Sequence, residues 1–276
     1  MVLILLATAC RRQETLIPSN RTPVILISVD TLRSDHLPTY GYRGVETPNI
    51  DRFRADAIRF DRAYSHVPLT LPSHATMLTG RLPADTGIRD NLGFQLAANV
   101  TTLPSLLKRN GYETGAAVSA FVLRSETGIN RGFDFYDDNV DVDLHSLSRS
   151  QRSGAETIRI AENWIKPRAS KPFFFFLHLY EPHTPYEPPE RFRKYASPYD
   201  GEIAYVDELL GTFFQFLRDD GLYDKAVIVF VSDHGEGLGD HGEEEHGILL
   251  YREEIEVPRG LRAFPQNPTL RRLVIQ

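Results

Sequence analysis

Val24-Ile-Leu-Ile-Ser-Val-Asp30 is a short, apolar, β-branched run closed by a carboxylate. With no polar alternation, such a run suits a strand covered on both faces of a parallel sheet. Two more segments share the style, Phe173 to Leu179 (Phe-Phe-Phe-Phe-Leu-His-Leu) and Ala226 to Val231 (Ala-Val-Ile-Val-Phe-Val), and Gly115 to Val118 adds a weaker one. Between them fall helix-like patterns at Pro48 to Ile58, Pro72 to Leu78, Leu103 to Arg109, Gly154 to Trp164 and Glu202 to Leu217. This alternation specifies an α/β fold, a doubly wound and mostly parallel sheet with right-handed crossovers.

The 276 residues, 41% of them hydrophobic, can bury a proper core and exclude disorder as a description of the whole chain. A net charge of -6 leaves no general excess of Lys or Arg for phosphate backbones, so no nucleic-acid partner is expected. Cys10 is the single cysteine, which excludes an internal disulfide and any Cys-rich cluster. A bound metal must therefore be held by carboxylate, imidazole and hydroxyl groups.

The opening Met-Val-Leu-Ile-Leu-Leu-Ala-Thr-Ala-Cys is too short to span a bilayer, which takes about 20 residues. Its small residues Ala7 to Ala9 before Cys10 resemble a bacterial lipoprotein signal, so residues 1–21 are expected to be signal and tether. The corresponding location is the cell envelope, periplasmic or anchored to the membrane by lipid on Cys10. Residues 22–258 form the expected catalytic domain. From Arg259 the chain carries four arginines, no acid and no sustained periodicity, so residues 259–276 are expected to be an aberrant or truncated tail.

In open α/β sheets, ligands bind outside the carboxyl ends of the strands. Here those ends carry Asp30, the stretch His178 to His183, and Ser232-Asp233-His234. Five of the nine histidines lie between positions 178 and 246: His178, His183, His234, His241 and His246. Asp233-His234-Gly235-Glu236 offers a carboxylate and an imidazole to one ion, although an acidic solvated loop would read the same way. Pro72 suits the first turn of a helix and sets Thr70 at its mouth, where free N–H groups favour an anion. A threonine hydroxyl is a poor nucleophile unless a base or metal activates it, and Asp30, Asp233 and His234 are the candidate metal ligands.

Four segments in order are similar to the sulfatase family of the alkaline phosphatase superfamily. They are Ile27-Ser-Val-Asp30-Thr-Leu-Arg-Ser-Asp35, Thr47-Pro-Asn-Ile-Asp51, Thr70-Leu-Pro-Ser-His74 with Thr79-Gly-Arg81, and Ser232-Asp-His-Gly-Glu236 with His241-Gly242. The resemblance implies an alkaline-phosphatase-like fold, metal ligation by Asp30, Asp233 and His234, and Thr70 as both nucleophile and fourth ligand. It also implies substrate contact by His183, and a place for His246 near the leaving group. The donor set suits a divalent cation without separating Ca²⁺, Zn²⁺ and Mn²⁺.

The departures from the family pattern bear on the chemistry. Sulfatases need Cys or Ser at the nucleophile position for oxidation to formylglycine, and Thr70 cannot form that aldehyde. His74 replaces the arginine of the family motif, which makes it a candidate substrate contact. The stretch Ala117 to Leu123 lacks the lysine and histidine that bind sulfate in the family. Threonine nucleophiles are similar to those of phosphodiesterase and phosphoethanolamine-transferase relatives, some of which place a phosphoryl-binding asparagine about twenty residues later, where Asn91 stands. The chain also stops before the smaller C-terminal subdomain that the family pattern leads one to expect.

The expected activity is hydrolysis of phosphate or sulfate esters, with phosphoesters favoured. Candidate substrates are small-molecule, glycan or lipid-headgroup esters. Phosphoryl transfer to another acceptor and a catalytically inactive truncated fragment are the alternatives.

Overall fold

The computed structural model describes residues 22–143 and 149–262. Its strands are β1 (Val24–Val29), β2 (Ile58–Phe60), β3 (Glu113–Ala117), β4 (Phe135–Asp137), β5 (Phe173–Leu179), β6 (Val227–Ser232) and β7 (Arg259–Arg262). They form one sheet in the order β2-β7-β6-β1-β5-β3-β4. The five strands from β6 to β4 run parallel, while β7 is antiparallel to both β6 and β2.

Helices cover both faces: α1 (Pro48–Ala55), α2 (Thr70–Thr79), α3 (Pro83–Thr86), α4 (Leu103–Arg109), α5 (Gly154–Ile165), α6 (Pro198–Asp219) and α7 (Arg252–Ile255). Alternate residues of β5 serve two cores. Phe173, Phe175, Leu177 and Leu179 pack with residues of α1, α5 and α6, whereas Phe174 and Phe176 pack with α2. All seven residues of β5 are buried, as expected for an unbroken apolar run at the middle of a two-sided sheet.

The predicted strands and helices are found with their ends matching to within four residues, and three further strands carry no sequence signal. Ile58–Phe60 and Phe135–Asp137 are three residues each, too short for a periodic signal. The third, β7, corrects the reading of everything after Pro258 as tail. Arg259 to Arg262 pairs with β6 on one side and β2 on the other, with Gly260 and Arg262 buried. An Arg-Gly-Leu-Arg tetrapeptide has no hydrophobic alternation, but its backbone groups complete the ladder. Arg262 is held by the Tyr223 carbonyl and Asp224. Residues 1–21, with Cys10, and the stretch from 263 onward lie outside the described residues.

Candidate active site

Strand register brings the two key acids together. Val29 of β1 lies opposite Leu179 of β5 and Ser232 of β6, so Asp30 and Asp233 leave adjacent strands at the same level. Helix α2 seats against this edge through Ser73 Oγ, which donates to the Asp233 carbonyl at 2.8 Å. Thr70, the first residue of α2, is buried with its Oγ1 3.3 Å from His234 Nε2. His234 Nδ1 lies 2.9 Å from the Gly235 carbonyl, which accepts its proton and leaves the Nε2 lone pair facing the cluster. That nitrogen is 3.6 Å from Asp30 Oδ1 and 3.4 Å from Asp233 Oδ2. Gly235 is required by a close approach, because a Cβ there would collide with the backbone carbonyl of Glu253 in α7.

Among the described residues, both carboxylate oxygens of Asp30 and Oδ2 of Asp233 are buried without a hydrogen-bond partner. Burial, set against the pull of His246, raises the Asp30 carboxyl to about 8, and the Asp233 carboxyl rises well above the usual range through burial and Asp30 itself. Burial likewise holds His234 well below its ordinary value, so it is neutral. Two buried carboxylates facing one imidazole lone pair and a hydroxyl make a candidate cation site, since unpaired buried charge is costly. Asp30, Asp233 and His234 have ligand atoms mutually close enough for one ion, and Thr70 adjoins them.

A second trio, His74, His178 and Asp233, also has ligand atoms close together. Its hydrogen bonds argue against an ion there. His74 Nδ1 is 2.7 Å from the Thr70 carbonyl, which can only accept, so Nε2 accepts from Ser28 Oγ at 2.9 Å. Both nitrogens are committed, and the ring has no exposed surface. This corrects the expectation that His74 contacts substrate. It lies behind Thr70 and ties the first turn of α2 to β1. His178 accepts from the Ser119 amide through Nδ1 at 3.4 Å, which directs its Nε2 proton towards Asp30 Oδ2, also 3.4 Å away.

His183 and His246 stand on the outer side of the cluster. The His246 ring packs 4.4 Å from His234 and 5.1 Å from His183 by centroid. His246 Nδ1 is 2.9 Å from Glu236 Oε1, whose second oxygen accepts from Tyr186 Oη at 2.9 Å. Burial opposes the charged form of His246, but the bond and charge of Glu236, with Asp30 and Asp233 beyond, raise it to about 9. His183 is pushed down to about 4 by burial and by His246, and donates through Nδ1 to the Thr184 carbonyl. Asn91 is brought next to Thr70, where its Oδ1 accepts from the Leu71 amide at 2.8 Å. Within the Ala117 to Leu123 stretch, Ser119 is buried and bonded to Thr157 and the His178 carbonyl.

Sequence reasoning missed three contributors. Glu236 stood inside the quoted motif with no role assigned. His178 is, in sequence, one histidine of five between positions 178 and 246. Thr31 adopts the left-handed conformation (φ 52°), which is rare for a β-branched residue. It is held there by Tyr199 Oη donating to its carbonyl at 2.7 Å and by the amide contact to Asp233 Oδ1 at 3.3 Å. No sequence signal announces that turn.

Residues 22–259 match the family model described as Sulfatase. The chain belongs to the sulfatase family. Among curated relatives of this sulfatase-family chain, an arylsulfatase of Clostridium perfringens is 23% identical, the match covering 85% of this chain and 67% of that protein. The mouse iduronate 2-sulfatase is 25% identical over 87% of this chain and 60% of its own length. The chain thus spans about two thirds or less of these relatives. In structure it resembles the phosphonate monoester hydrolase of Agrobacterium radiobacter, with a TM-score of 0.75 and 21% identity over 90% of this chain and 69% of that one, a likeness of fold.

Proposed function

We propose that this sulfatase-family chain hydrolyses esters by a two-step displacement on Thr70, with phosphate esters favoured over sulfate esters. The observation that carries the reading is the placement of Thr70 Oγ1 at the start of α2, buried and 3.3 Å from His234 Nε2, beside carboxylates that lack partners. Asp30, Asp233, His234 and Thr70 would hold a divalent cation of the Ca²⁺, Zn²⁺ or Mn²⁺ class. When bound, it supplies positive charge that favours the ionised threonine and offsets charge on the ester oxygens.

The residues of the chain do the rest. Thr70 loses its proton to solvent, and Oγ1 bonds to phosphorus as the bond to the leaving oxygen breaks. His246, held by Glu236, presents Nε2 as the donor that protonates the leaving oxygen. Water then bonds to phosphorus as the bond to Oγ1 breaks, giving up a proton to His246, and Thr70 recovers its own from solvent. His183 stands beside His246, with 5.1 Å between ring centroids, as a further contact to the substrate. A sulfated threonine lacks the second hydroxyl through which a formylglycine hydrate expels sulfate, so sulfate esters stall at the covalent stage.

Aryl phosphate mono- or diesters should therefore turn over faster than the matching aryl sulfate. Quenched turnover should leave a phosphate on Thr70 detectable by mass spectrometry, and Thr70→Ala should abolish both, with a loss on the order of 10⁶ by analogy with other covalent nucleophiles. Faster turnover of the sulfate ester would reverse the preference. The Ala-Thr-Ala-Cys10 signature further supports a lipid-anchored place in the cell envelope. Mass spectrometry of the native protein tests this, and an unmodified Cys10 would refute it.

A further inference from the structure

Resting on that reading of the site, we propose that the organic part of the ester is a hydrocarbon group seated beside Asn91, not a polyanionic sugar. Ten large apolar side chains are exposed among the described residues, and six of them fall in two loops: Leu92 and Phe94 in one, Ile248, Leu249, Leu250 and Tyr251 in the other. Both loops are anchored to the segment that carries Thr70. Asn91 Oδ1 binds the Leu71 amide at 2.8 Å, one residue after the nucleophile. Gly247 packs so closely on the Leu69 side chain, one residue before it, that a Cβ would lie 2.9 Å from Leu69 Cδ2.

The second loop is a built feature. Glu243 accepts from the amides of Ile248 and Leu249 at 2.9 and 3.2 Å, which holds the apolar side chains outward, with Ile248 85% exposed. The first loop borders a cavity of about 410 Å³ that Leu92, Phe94, Phe121 and Val122 line together with Asn91. The cation of that lining, Arg124, is ion-paired with Glu126, which leaves little positive charge for a sulfated or phosphorylated glycan. Apolar exposure gathered beside Thr70, and a lining whose cation is already paired, select a hydrocarbon substituent.

Calorimetric titration of the metal-replete protein with methyl-, butyl- and hexylphosphonate tests this without requiring turnover. Kd should tighten by at least about tenfold from the methyl to the hexyl member, since each buried methylene contributes. The double variant Leu92→Ser/Phe94→Ser replaces exposed side chains, so its fold is not at risk. It should lose the chain-length gradient and keep the methylphosphonate affinity. The gradient should persist in Thr70→Ala, which separates this proposal from the nucleophile assignment. A flat series, absence of hexylphosphonate binding, or a gradient untouched by the double variant would overturn it. A wild-type dimer that the double variant turns into monomer, with a flat series, would assign the surface to a second copy of the chain.

Discussion

His246 Nδ1 lies 2.9 Å from Oε1 of Glu236, a side chain with no exposed surface. This contact settles which nitrogen of His246 carries the inward proton and turns Nε2 towards the site. Glu236 is thus a positioning residue for the proposed proton donor. Glu236→Gln should lower kcat by roughly 10- to 100-fold for alkyl esters, whose leaving oxygen needs a proton, and much less for 4-nitrophenyl esters. A loss equal across the leaving-group series would mean that Glu236 does not act through His246.

The unpartnered oxygens of Asp30 and Asp233 predict about one divalent cation per chain. Elemental analysis should find it in the parent and not in Asp233→Ala. Chelation should lower Tm, and the cation added back should restore it in proportion to its excess over Kd. Equal metal content in parent and variant would remove the assignment.

His74 is expected to act on stability before it acts on substrate. His74→Ala removes bonds to the Thr70 carbonyl and Ser28 Oγ and opens a void between α2 and β1. The cost should be about 2–4 kcal/mol by urea unfolding. A variant of unchanged stability and raised KM would instead restore His74 as a substrate contact.

Glu202, on the first turns of α6, gives a pH dependence of defined sign. Burial first, and the nearby Glu181 second, raise its carboxyl from 4.5 to about 8 in the folded protein. Between those values the folded state binds the extra proton, so this group's contribution to stability falls as pH rises from 4.5 and the loss is complete above 8. Glu202→Gln cannot ionise. Its stability relative to the parent should grow by about 2 kcal/mol or more between pH 5 and pH 8.5, read from urea midpoints. A constant difference across that range would show that Glu202 ionises freely in the folded protein.

Much of this architecture is legible in the chain because β1, β5 and β6 lie inside the sheet, largely buried, and are almost wholly apolar. Asp30 and Asp233 then stand out as the first carboxylates past two such runs, and parallel register makes them neighbours. Other parts depend on contacts that leave no local pattern. His74 was misread because its position in the motif says nothing about Ser28, which lies 2.9 Å away across the sheet edge and 46 residues earlier. Glu236 was overlooked because its partners Tyr186 and His246 come from separate loops. Strand β7 escaped because its pairing is made by backbone groups flanked by arginines.

That last strand has a consequence for solubility. Both margins of the sheet end in strands of three residues, β2 and β4, which present too few free amides and carbonyls to recruit another chain edge to edge. β7 stands between that short margin and β6, a six-residue strand rich in Val, Ile and Phe. Were the chain cut at Pro258, β6 would become the margin, with the backbone groups that now meet β7 open to solvent. The Asp30, Asp233 and His234 cluster would then sit on a ready template for β-aggregation. Arg259 to Arg262 thus guards the strand that leads into Asp233.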